Sequence, residues 1–189
     1  MPISHLDALR VLRDHREGAV VLTTMTACGV WPTLSDDPLD FAYIPSSMGQ
    51  GPALGLGLAL AQPSRRVIVV NGDGCTLMNL GCLVTIASHP ANLFLLVMDN
   101  ALYEVTGGQP TAGAGRIDYS GLARAAGIPR TYTFETLEAW RAGAKEALTG
   151  PGPVVIWLKL EGRLGQKTPK APRPMANQIS RLRTALDGK

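Results

Sequence analysis

Little in this sequence is charged, little is aromatic, and no apolar run is long enough to cross a membrane. Charged residues make up 17% of the 189-residue chain and apolar ones 46%. That balance excludes the disordered class, in which charge prevents a core from forming. The length suits one domain with a substantial core and is too short for two ordinary ones. The N-terminus, Met1-Pro2-Ile3-Ser4-His5, has no basic-then-apolar leader, so a cytoplasmic protein without membrane partners is expected. The three cysteines, Cys28, Cys75 and Cys82, form no CxxC pair and cannot all be bridged. Reduced, buried thiols are the expectation, with Cys75 set apart because it directly follows Gly74.

The net charge of +3 is spread unevenly: the chain from Lys159 onward carries +6 and the preceding 158 residues carry −3. The basic tail is interrupted by Pro169, Pro172 and Pro174 and has no aromatic residue for stacking bases. These features argue against nucleic acid and for a solvated arm lying on a partner subunit.

Periodicity divides the chain into alternating elements. Residues 4–16 place Leu6, Leu9 and Leu12 near helical spacing behind a Ser4 cap. Strands are expected at 19–25, 41–44, 65–72, 92–100, at "RTYTF" and at "GPVVIWLKL". Helices are expected over the small-residue stretch 46–62, over 76–89, and at "YSGLARAAG", "TLEAWRAGAKEAL" and "ANQISRLRTAL". Strands alternating with helices across short connections imply a parallel sheet with helices on both faces, an α/β fold. A single domain over 1–189 is expected, ending in a Pro-rich basic arm and helix at about 161–189.

In such a sheet, ligands bind at the carboxyl ends of the strands. The apolar strand 65–72 runs into Gly72-Asp73-Gly74, and the next strand ends at Asp99-Asn100. The 27 positions from Asp73 to Asn100 make one helix and return, which puts both side chains on the same rim. A carboxylate and an amide oxygen are hard ligands suited to Mg²⁺ or Ca²⁺. The flanking glycines let phosphate oxygens approach main-chain N–H groups, and the following helix offers its positive end. A metal-bound diphosphate is the predicted ligand. Two other readings fit parts of this stretch. Asp73 could simply cap the helix, with its glycines serving a tight turn. Alternatively, Gly49 and Gly51 with Asp73 could form a dinucleotide-binding pattern, although Leu54 stands where the third glycine belongs.

The stretch 71–111, "NGDGCTLMNLGCLVTIASHPANLFLLVMDNALYEVTGGQPT", resembles the diphosphate-binding domain of thiamine-diphosphate enzymes, nearest to the sulfopyruvate and phosphonopyruvate decarboxylases. The resemblance rests on the GDG, the later Asn100, Tyr103-Glu104, and Thr106 through Thr111. It implies that Asp73, the Asn100 side chain and the Leu102 carbonyl bind Mg²⁺ with the cofactor diphosphate. Gly72, Gly74 and Cys75 would lie along the phosphates, with Tyr103 and Val105 also at the cofactor. Met48 would wedge beneath the cofactor rings, and the Ser46 carbonyl, beside Ser47, would accept from the 4′-amino group. Taken by itself, Met48 reads equally as ordinary core packing. Two departures bear on the substrate: Val105 replaces a serine frequent among close relatives, and Cys28 interrupts a more polar segment.

The family also needs a glutamate from a pyrimidine-binding domain, for which the residues before 40 are too few. The resemblance therefore implies a separate α subunit and an α₂β₂ assembly or a multiple of it. The expected activity is decarboxylation of a 2-oxo acid carrying a second anionic group, with thiamine diphosphate and Mg²⁺ as cofactors. Carboligation of the acetolactate-synthase type, or a non-catalytic cofactor-binding subunit, are the alternatives. None of His5, His15 and His89 is expected at the site, since the first two are placed on a surface helix and His89 at the wrong end of the sheet.

Overall fold

The computed structural model describes residues 1–188. Eight strands are formed: β1 (Val20–Thr23), β2 (Asp40–Ala42), β3 (Val67–Gly72), β4 (Leu93–Asp99), β5 (Leu102–Tyr103), β6 (Gln109–Pro110), β7 (Arg130–Phe134) and β8 (Val154–Lys159). Six of them make one parallel sheet in the order β2-β1-β3-β4-β8-β7, and β5 pairs antiparallel with β6 as a separate ribbon. The helices are α1 (His5–His15), α2 (Ala27–Val30), α3 (Gly51–Ala61), α4 (Asp73–Leu77), α5 (Gly81–Ser88), α6 (Tyr119–Ala125), α7 (Leu137–Ala147) and α8 (Met175–Asp187).

The central strands are apolar throughout because both faces of the sheet are covered, as parallel sheets require. Alternate residues serve opposite layers. Ile68, Val70, Phe94 and Leu96 pack with Leu9 and Leu12 of α1 and Trp140 of α7. Val67, Val69, Leu93 and Leu95 pack with Leu56 of α3, Ile86 of α5 and Leu182 of α8. Gly55 permits the close seating of α3, because a Cβ there would collide with the Val69 side chain. Trp140 is fully buried, and its indole N–H donates to the Ala8 carbonyl at 3.1 Å, tying α7 to α1.

Two boundaries and the placing of the basic arm differ from expectation. The helix expected from residue 46 begins at Gly51, because Gly49 sits at φ +86° and Pro52 favours the first helical turn. Residues 46–50 are thereby freed as a loop. The helix expected over 76–89 is broken between α4 and α5, where Asn79 turns to donate to the Gly49 carbonyl at 3.1 Å. Much of the basic arm's second half packs on its own chain instead of awaiting a partner. Gln178 accepts from the Ala42 N–H at 2.9 Å, Arg173 and Arg181 pair with Asp36, and Leu182 enters the core. Among the described residues, no helix is long and apolar enough to cross a membrane.

Candidate functional site

β1 lies between β2 and β3, so the chain leaves β1 toward one side and returns on the other. That reversal opens a crevice at the carboxyl ends of β1 and β3, the position at which α/β sheets bind ligands. Here Thr24 and Met25 follow β1, and Gly72 through Cys75 end β3 and begin α4. All six line one cavity, together with Asn100 and Leu102 from beyond β4. Asp73 and Asn100 thus share a rim, as their spacing predicts.

Asp73 is buried, and its Oδ2 accepts a hydrogen bond from the Thr111 hydroxyl at 2.9 Å. Burial pushes its carboxyl up to about 7; the Thr111 bond opposes that rise and the nearby Asp99 adds to it. Below the acid, Asn71 is wholly enclosed. It donates to the Thr76 hydroxyl at 2.9 Å and accepts from the Thr24 hydroxyl at 3.0 Å, which locks the ends of β1 and β3 together. Asp99 accepts from the Trp157 indole N–H at 2.9 Å and from the Ala101 N–H at 3.2 Å.

The two glycines beside Asp73 have different reasons. At Gly74 an added Cβ would lie 2.7 Å from Tyr103 Cδ1 and nearer still to Cε1, so Tyr103 packs where a side chain would stand. At Gly72 a Cβ would meet nothing within 4 Å, and the backbone, at φ −74° and ψ 156°, suits any residue. Neither packing nor conformation within the chain requires glycine there.

Asn100 is mostly buried, and its side-chain oxygen accepts from the Leu102 N–H at 3.0 Å, using one of two lone pairs. Ala101, at φ +60°, turns the chain into the β5–β6 ribbon. The Ala101 carbonyl accepts from the Thr111 N–H at 3.0 Å and the Tyr103 carbonyl from the Gly108 N–H at 2.9 Å. Successive carbonyls in a strand point in opposite directions, so the Leu102 carbonyl between them is turned away from the ribbon.

A wider cavity of about 520 Å³ adjoins the first and shares Met25, Met48, Val105 and Thr106 with it. Ser46 lines this second cavity, and its hydroxyl is buried without a hydrogen-bond partner. Ser47 is exposed and lines neither. Cys75 lines the first cavity, its thiol pushed up by burial. Cys28 does not reach either cavity. Its thiol donates to the Thr23 carbonyl at 3.2 Å, and burial raises it to about 12.

The expectation for His5 is overturned. His5 is 5% exposed, lines the first cavity, and has its Nε2 3.9 Å from the Oε2 of buried Glu104. Burial holds the imidazole below its usual range, with Glu104 opposing and Arg163 reinforcing that shift. Its position, three, four and seven residues before Ala8, Leu9 and Leu12, is the signal that could have found it: His5 shares the buried stripe of α1. His15 is partly buried and His89 exposed, and neither lines this cavity. Thr24, Met25, Thr26 and Asn71 also line the cavity and were assigned no role from the sequence, and Thr111, named there only as part of a motif, bonds to Asp73.

Residues 23–158 match the family model described as the thiamine pyrophosphate enzyme, C-terminal TPP binding domain. The chain belongs to that family. A phosphonopyruvate decarboxylase of Streptomyces viridochromogenes is 38% identical over 77% of this chain and 36% of its own length. A sulfopyruvate decarboxylase subunit beta of Methanothermobacter thermautotrophicus is 47% identical over 51% of each chain. The match thus spans between about a third and about half of these relatives. A crystal structure of a Mycobacterium smegmatis protein assigned to the thiamin diphosphate-dependent enzymes superposes with a TM-score of 0.71. It is 26% identical, covering 86% of this chain and 32% of that one.

The residues present fit a metal-bound thiamine diphosphate. Asp73, Asn100 and the Leu102 carbonyl offer hard oxygen donors, the set Mg²⁺ prefers. Gly72 leaves open space, and the Ser46 hydroxyl lacks a partner within the chain.

Proposed function

We propose that this chain is the diphosphate-binding subunit of a two-chain thiamine-diphosphate- and Mg²⁺-dependent 2-oxo acid decarboxylase, acting on sulfopyruvate or a similar anionic 2-oxo acid such as phosphonopyruvate. The observation that carries the reading is that Asp73, Asn100 and Leu102 line one cavity beside an open Gly72. In this reading those three groups hold Mg²⁺. Gly72, Gly74 and Cys75 run along the diphosphate with Tyr103 and Val105 nearby, Met48 supports the rings, and the Ser46 carbonyl, next to Ser47, receives the amino group. When bound, the cofactor supplies the nucleophilic carbon and the electron sink for decarboxylation. The protein binds and orients it, and keeps Asp73 out of water.

A separate pyrimidine-binding α subunit, in an α₂β₂ assembly or a multiple, is supported by the subunit naming of the relative at 47% identity. An unpartnered apolar face on the chain supports it as well. Leu60 lines a groove with Leu56 and Cys82, and Met78, Leu80 and Val84 are exposed on and beside α5. Apolar patches of this kind mark contact sites.

The test is Asp73→Ala. Cofactor binding is followed by quenching of tryptophan fluorescence, since Trp157 bonds to Asp99 beside the site. The variant is expected to keep the wild-type melting temperature and to lose Mg²⁺-dependent binding of thiamine diphosphate. Wild-type affinity in that variant would reject the site. For the partner, the tagged chain is purified from its host, and an equimolar second chain is expected to accompany it.

A further inference from the structure

We propose that His5 contacts the substrate, as the side chain with which this subunit meets an anionic end of the bound 2-oxo acid; the inference rests on the function proposed above. The Ser4 hydroxyl accepts from the Asp7 N–H at 3.1 Å and fixes the first turn of α1. The stripe of Ala8, Leu9 and Leu12 then turns His5 inward, to 5% exposure. Its ring lines the cavity that holds Gly72, Asp73 and Asn100, approaching from the α1 side.

Among the described residues neither ring nitrogen makes a hydrogen bond, and Glu104 Oε2, at 3.9 Å, is too far for one. Buried polar side chains normally have partners. Unlike the Ser46 hydroxyl, the His5 ring nitrogens are not sealed off, and the ring lines the cavity, so a ligand entering it can supply the partner the chain does not. Glu104 cannot swing in to serve. Its Oε2 accepts from the Thr26 hydroxyl at 3.0 Å and its Oε1 from the Arg163 N–H at 2.8 Å. Held in place, its negative charge favours an N–H on the ring and supports His5 as a donor. Among the described residues no lysine or arginine lines either cavity. Among those residues His5 is accordingly the one imidazole, guanidinium or ammonium side chain lining the two cavities, and its ring N–H can donate to an anion. A 2-oxo acid supplies that anion as its carboxylate, or as the sulfonate or phosphonate at its other end.

The holoenzyme, purified from its host with the chain that accompanies it, is assayed with sulfopyruvate and phosphonopyruvate. His5→Leu is expected to raise KM by about 10- to 100-fold, the effect of losing a hydrogen bond to a charged group. His5→Gln, which keeps a donor, should recover most of that loss. The affinity for thiamine diphosphate, read by tryptophan fluorescence, should stay within about twofold in both. An unchanged KM in His5→Leu, or a fall in kcat alone, overturns the inference. Failure of the wild type to bind thiamine diphosphate would instead remove the cofactor reading beneath it. Should His5→Leu not fold, the wild type decides. With ¹⁵N-labelled histidine, an unreactive acyl phosphonate analogue should move the His5 ring signals and leave those of exposed His89 in place. Unmoved His5 signals would overturn the inference.

Discussion

Adding one methyl group to either glycine beside Asp73 should produce opposite failures. In Gly72→Ala the new Cβ meets nothing within 4 Å, and φ −74° with ψ 156° is ordinary for alanine. Restricting the unfolded chain stabilises by about 0.4–1 kcal/mol. Alanine in place of glycine at this N-cap costs about the same. The two offset, so the melting temperature should move by no more than a few degrees. The space the methyl takes is that assigned to the diphosphate. Overpacking of about 1–3 kcal/mol then corresponds to thiamine diphosphate binding weaker by about 5- to 150-fold. In Gly74→Ala the Cβ lies 2.7 Å from Tyr103 Cδ1, with Thr111 Cγ2 behind it at 3.3 Å. Tyr103 must move, and the cost of about 1–3 kcal/mol falls on the fold even without cofactor. Thermal melts of apo protein and fluorescence titrations with thiamine diphosphate and Mg²⁺ separate the two. If Gly72→Ala binds the cofactor as tightly as wild type, the diphosphate does not pass Gly72 and the strand-end reading is wrong.

Gln178→Ala should destabilise by about 1–3 kcal/mol, because the buried Ala42 N–H loses its acceptor; urea melts measure it, and hydrogen exchange should localise the loss to β2. Asp36→Asn should change global stability little, since the ion pairs with Arg173 and Arg181 are exposed. Those two arginines hold the Asp36 carboxyl below its usual range. The native state therefore binds fewer protons than the unfolded one, and the pairs' contribution is present above the ordinary carboxylate pKa and lost as pH falls through the depressed value. Protease cleavage within residues 161–173 should accelerate on acidification in wild type and be fast already at neutral pH in Asp36→Asn. Leu60→Glu combined with Val84→Glu should leave the melt of the isolated chain unchanged, because both sites are exposed, and should abolish co-elution with the second chain in size-exclusion chromatography.

Continuous apolar runs such as Val67–Val70 and Leu93–Met98 announce strands buried on both faces, and the alternation of strands with helices dictates a parallel sheet. Element types were therefore legible from local pattern. What local pattern does not contain is strand order, and the crevice depends on it. Nothing in residues 19–25 reveals that β1 sits beside β3 with the order reversing between them. For that reason Thr24 and Asn71, joined to each other across 47 positions, were invisible, as was Met25 beside Thr24. The helix breaks were missed for a related reason. Asn79 leaves the helical path to reach Gly49, thirty positions away, and a long-range bond overrode good helical periodicity. His5 was misplaced through residue type, although its spacing with Ala8, Leu9 and Leu12 placed it on the buried stripe.

The distribution of charge at the strand ends connects these observations. Asp73 and Glu104 are almost wholly buried, and Asp99 stands near Asp73 at the end of β4. Their partners are the hydroxyls of Thr111 and Thr26, the Trp157 indole and main-chain N–H groups. Among the described residues no lysine or arginine side chain pairs with any of the three; only His5 approaches, and at 3.9 Å. Burying a carboxylate without a countercharge is among the most costly arrangements a fold can contain, and the rise of Asp73 to about 7 expresses that cost directly. A fold selected for stability alone would have placed an arginine here or exposed the acids. Keeping them buried and short of positive charge is sensible if the countercharge is a divalent cation that enters with its diphosphate. The same deficit explains why a histidine can be kept in the wall of the cavity at all. Its neutral form costs the buried pocket little, and burial holds the ring in that form, with Glu104 opposing the shift only in part.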